Sequence, residues 1–134
     1  MSTWIMSGGL ALIAEMTSTR NLLAYGLRVI RADALTENNR DPILTMLSIG
    51  VEKLYKLTLG LAALDREGSW PNAAKAKAWG HKLVPMYEAV MSELRSRTSD
   101  KSPYVCGLVA EVEADPVVPP FITSLDMYGS NGRF

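Results

Sequence analysis

The sequence predicts an all-α protein: an antiparallel up-down bundle of four to five helices with two long ones at its centre. Apolar residues recur at three- and four-residue steps along most of the chain. The breaks between these runs are short and carry helix-start and helix-stop chemistry, as in "NNRDP", "EGSWPN" and "TSDKSP". No internal repeat and no low-complexity linker interrupts them.

The first helix is expected over Leu10 to Leu35, with Ile13, Met16, Leu23, Leu27 and Ile30 on an inward stripe and Arg20, Arg28 and Arg31 facing away. After the turn "TENNRDP", Asp41 suits the N-cap and Pro42 the first helical position, where its missing N–H costs nothing. The second helix runs from Pro42 to about Leu64. Ile43, Leu47, Val51, Leu54, Thr58 and Leu61 form its stripe, broadened by Leu44, Ile49, Leu57 and Leu64, so it should touch neighbours on more than one side.

Gly68 ends that helix, and a short alanine-rich helix follows over "NAAKAKAW". Gly80 and Pro85 then force a kink or a fresh start. Met86, Val90, Met91 and Leu94 carry the next helix to about Arg97, with Met86, Tyr87 and Met91 as candidates for an exposed apolar face. "YVCGLVAEVEAD" reads as helix, although its valines also suit a strand; "PVVPP" reads as extended and "FITSLDMYG" as a last short helix. The expected organisation is one helical domain over 1–134, with 1–9 flexible and 99–134 a C-terminal helical extension. The abrupt end in "GRF" fits a protein trimmed from a longer one.

The chain has 134 residues, 48% of them hydrophobic and 21% charged, with 14 basic against 14 acidic side chains. That neutral balance argues against a strongly electrostatic nucleic-acid binder, whose affinity comes from counterion release. Charge is nonetheless uneven: Lys75, Lys77 and Lys82 lie close together, whereas Glu111, Glu113 and Asp115 make an acidic stretch. One cysteine, Cys106, forbids an intramolecular disulfide, and with one histidine it supplies no ligand set for zinc. No cofactor or metal is therefore expected. The N-terminal run lacks the basic start and cleavage site of a secretion signal, and no segment offers about 20 uninterrupted apolar residues to span a bilayer. A cytoplasmic protein is expected. Glycine-rich phosphate loops, H-E-x-x-H, calcium loops and a nucleophile elbow are all missing.

Two groups of residues remain. In "VEKLYK", Glu52 and Lys56 stand four apart and can pair on a solvated helix face; alternatively Glu52 marks a polar site between helices. In "WGHKLVPMYEAV" His81 is the only histidine of the chain. An imidazole suits general acid–base work near neutral pH if a partner orients it and a cation meets developing charge. Glu52 is the candidate orienter, and Lys75 or Lys77 the cation. The structural alternative has His81 fixing the kink beside Gly80. Lys53, Lys56, Lys77 and Lys82 are candidate contacts to a bound partner. A two-fold dimer would bring two copies of His81 to one site.

The order of a long amphipathic helix, a turn, a helix with "GVEKLYKL" and then "WGHKL" resembles the HEPN superfamily of helical-bundle proteins over about Leu10 to Leu94. The closing "LDMYGSNGRF" is similar to a segment near the end of some bacterial relatives. The resemblance implies a four- or five-helix antiparallel bundle that dimerises, with links to RNA metabolism, toxin–antitoxin pairs and phage defence. Active members are metal-independent endoribonucleases in which an arginine and a histidine, separated by four to six variable residues, meet in a cleft shared by two subunits. The chain departs from that pattern: the positions that should hold arginine before His81 are Ala74, Lys75 and Ala76. Lys75 has the spacing but not the two-pronged guanidinium. Arg133 is of the right type, one residue from the end.

The leading expectation is therefore a HEPN-like homodimeric module that binds a protein or an RNA without cutting it. The alternative is an endoribonuclease using His81, oriented by Glu52 and assisted by Lys75. A third is a phage or mobile-element protein that blocks a host protein by a helix-in-groove contact.

Overall fold

A computed structural model describes residues 9–130, in which six helices follow one another with no strand among the described residues. They are α1 (Gly9–Arg31), α2 (Arg40–Glu67), α3 (Ala73–Ala78), α4 (Leu83–Thr98), α5 (Pro103–Ala114) and α6 (Val118–Ser130). The expected flexible start, apart from Gly9, and Arg133 lie outside the described residues. None of these helices is long and apolar enough to cross a membrane.

The all-α reading holds, but the centre is one helix rather than two. On α2, Ile43, Leu47, Val51, Tyr55 and Leu59 recur at four-residue steps and are all buried. They meet Leu83, Met86 and Val90 of α4 and Ile122 and Leu125 of α6. Leu47, Leu83 and Leu125 are 1% exposed or less, and burying each contributes roughly 1.5–3 kcal/mol. Met86 and Met91 therefore belong to the interior and Tyr87 is half-buried, so the surface expected around these residues does not exist. The C-terminal extension is part of the core through α6. Asp126 of α6 accepts the backbone N–H of Leu83 and of Val84, capping α4 from another helix (3.0 and 3.3 Å). The Tyr128 hydroxyl reaches Asp41 at the start of α2.

By contrast, α1 leans chiefly on α2. Its buried residues among those described are the small Thr19 and Gly26, two turns apart, flanked by half-buried Leu22, Leu23, Val29 and Ile30. A Cβ on Gly26 would stand 2.5 Å from Leu47 Cδ2, and one on Gly50 would stand 2.9 Å from Leu23 Cδ2. Each helix thus seats a leucine of the other on a bare glycine. This close approach selects the small-residue strip and turns Ile13, Met16 and Leu27 outward, against the expected stripe.

Local chemistry moves several boundaries. The turn before α2 is fixed by Thr36 and Asn39, each accepting the other's backbone N–H through its side chain. The helix therefore starts at Arg40, two residues before Pro42, and Asp41 sits in its first turn rather than at the cap. Gly68 closes α2 at φ +78°. Asn72 caps α3 through Lys75 N–H, and Ser102 caps α5 through Val105 N–H. Gly80, at φ +70°, makes the fresh start between α3 and α4. Of the segment expected to be extended, "PVVPP", the last three residues instead open α6: its last two prolines take positions whose N–H groups have no partner within a helix.

Candidate functional site

Glu52 lies on the flank of α2, one residue beyond the core stripe, and the left-handed turn at Gly80 lays His81 over it. Glu52 Oε2 accepts a hydrogen bond from Lys56 Nζ and meets His81 Nδ1, both at 3.0 Å. The Glu52 and Lys56 side chains are 13% and 10% exposed, whereas His81 is 71% exposed. Burial alone would raise the Glu52 carboxyl, but the hydrogen bonds from His81 and Lys56, with their charges, outweigh it and hold the group below the usual carboxylate range. Glu52 is therefore a polar junction between α2 and the α3–α4 connection, not a solvated face.

The expected partnership of Glu52 with His81 is present; the expected cation is elsewhere. Lys75 Nζ pairs with Glu67 Oε1 at 2.9 Å. Glu67 and Glu52 are fifteen residues apart on one helix, about 22 Å along its axis. The reason is local: α3 is a six-residue helix capped at Asn72, which turns Lys75 toward the end of α2 while Gly80 redirects the chain toward its middle. Lys53 and Lys56 pair within the chain, with Glu15 and Glu52. Lys77 and Lys82 remain exposed. The His81 imidazole lies in neither a dry junction nor a ring of cations, and the kink beside it is made by the backbone of Gly80. Among the described residues no group of three histidine, cysteine, aspartate or glutamate side chains is arranged to hold a metal ion.

A second site is carried by oily side chains. Between α1 and α2 runs a groove of about 490 Å³, walled by Met16, Leu23 and Leu27 on one side and Leu54, Leu57 and Leu61 on the other. Met16 is 50% exposed and Leu27, Leu54 and Leu61 are 45, 42 and 39% exposed. Arg20 lines its rim. Sequence periodicity flagged these residues but assigned them to the interior, because it fixes which residues share a face and not which neighbour covers it.

No protein-family model, characterised protein or solved structure matches this chain.

Proposed function

We propose that the chain is a HEPN-like helical bundle that works as a non-catalytic interaction module, binding a protein through the α1–α2 groove. The observation that carries this reading is the groove itself: a folded helix pair leaves Met16, Leu27, Leu54 and Leu61 open to water, and contiguous apolar surface of that kind marks interaction sites. Formal neutrality and the pairing of Lys53, Lys56 and Lys75 with carboxylates favour a protein over an RNA. The resemblance to HEPN proteins draws support from the all-helical order and from the contact between the glutamate of "GVEKL" and the histidine of "GHKL".

A ribonuclease is the second reading, and one observation favours it. A carboxylate holds Nδ1 of an exposed imidazole, the arrangement by which a general base is oriented. Of the cations the resemblance and the sequence suggested for the phosphorus centre, Lys75 is bound to Glu67 and Lys56 to Glu52.

Incubation with a varied RNA panel in EDTA separates the two. The module reading expects no cleavage above buffer and no difference between wild type and His81→Ala. Cleavage that survives EDTA and disappears in a folded His81→Ala protein would establish the ribonuclease instead.

A further inference from the structure

The chain carries a second oily face, on α5. No residue of this helix is fully buried. Val105, Cys106 and Val109 are half-buried, and Glu113 pairs with Arg95 of α4. Away from these stand Tyr104 and Leu108, four residues apart and 75 and 45% exposed, while Val112, 40% exposed, lies two turns beyond Val105 at the edge of the half-buried side. Glu111 and Asp115 stand in the same stripe by helical spacing. Glu111 is in no ion pair among the described residues, and Asp115 accepts the N–H of Val117. Gly107 lies on this side too; a Cβ there would meet nothing within 4 Å, so no packing within the chain accounts for a glycine in mid-helix.

The α1–α2 groove is the counterpart in shape and charge. Arg20 lines it, Arg28 stands one turn past groove-lining Ala24, and Arg31 one turn past Leu27. All three are exposed, and none is in an ion pair among the described residues; Arg20 makes only a 3.4 Å contact to neighbouring Asn21. The groove extends from Met16 to Leu27, about 17 Å, and the Tyr104–Val112 stripe covers about 12 Å. An apolar face with two carboxylates thus fits within an apolar groove with three arginines, and the two belong to one electrically balanced chain.

We propose that the α1–α2 groove receives α5 of a second copy of this chain, with Tyr104, Leu108 and Val112 against Met16, Leu27 and Leu54, and Glu111 and Asp115 facing the arginine rim. Gly107 lets the two helices approach closely. The contact joins unlike surfaces, so its smallest closed assembly is a two-fold dimer carrying it twice. This rests on the interaction-module reading and names its partner.

Sedimentation equilibrium over a wide concentration range tests it with two double variants at exposed positions. One is Leu108→Lys with Glu111→Lys on α5; the other is Arg20→Glu with Leu27→Glu on the groove. Circular dichroism confirms that each is folded. Wild type is expected to associate, each variant to associate at least about tenfold more weakly, and an equimolar mixture to recover, because wild-type α5 then meets a wild-type groove and the reversed charges meet each other. A wild type that stays monomeric overturns the proposal. So do variants that associate like wild type, or impairment of one variant alone without recovery on mixing, which would mean that a face pairs with its own copy. A monomer that cuts no RNA would end this proposal and spare the module reading, whereas a self-associating ribonuclease would do the reverse.

Discussion

Glu52 is shared by two partners of different standing, a buried lysine and a histidine largely in water. The lysine matters more for stability. In Glu52→Gln the Lys56 ammonium stays buried without its counter-charge, at a cost on the order of 3 kcal/mol near neutral pH. Because the folded carboxyl is held below its ordinary range, its contribution is complete above the unfolded-state value and fades as pH falls through the folded one. Urea unfolding at a series of pH values should therefore show the gap between wild type and Glu52→Gln narrowing only in the acid range; a gap independent of pH would contradict the ion-pair account. His81→Ala, by contrast, removes an exposed contact and should shift stability by less than about 1 kcal/mol. The Glu52–His81 partnership was legible in the sequence because a lone histidine and a glutamate on an oily helix are both conspicuous. The fate of Lys75 was not: it depends on where a six-residue helix points, and spacing along the chain carries no such information.

Among the helices, glycines of the same type play opposite parts. At Gly26 the missing Cβ makes room for Leu47, which is 1% exposed and has nowhere to move, so Gly26→Ala should cost roughly 1–3 kcal/mol through overpacking. At Gly107 the surroundings are open, and Gly107→Ala should raise stability by up to about 1 kcal/mol through helix propensity. Thermal unfolding of the two variants measures both, under conditions that keep the chain monomeric; equal signs would contradict the packing described for α1. Periodicity revealed most helices to within a few residues, including the choice of helix for the valine-rich α5. It misplaced the start of α2, where side chains in the preceding turn decide, and the start of α6, where two prolines sit inside the first turn. On α1 it placed Leu23 and Ile30 inward correctly but put Ile13, Met16 and Leu27 beside them. Apolar residues surround that helix, and the glycine contacts that choose among them exist only between helices.

At the level of the whole molecule, a well-packed unit of α2, α4 and α6 carries two loosely covered helices, α1 and α5. Met86 and Met91 were candidates for an exposed apolar face and are interior; Met16 and Leu27 were expected inside and are exposed. An apolar count cannot distinguish a core from an interface, since both are built from the same side chains. The working surface we propose is the oily groove rather than the His81 corner. Amide hydrogen exchange of the wild-type chain, dilute and concentrated, with and without RNA, addresses it most directly. Protection is expected to rise on concentration over Met16 to Leu27 and Tyr104 to Val112 while residues 77–82 stay as they were. Protection that instead appears at 77–82 when RNA is added, with the groove unchanged, would contradict it.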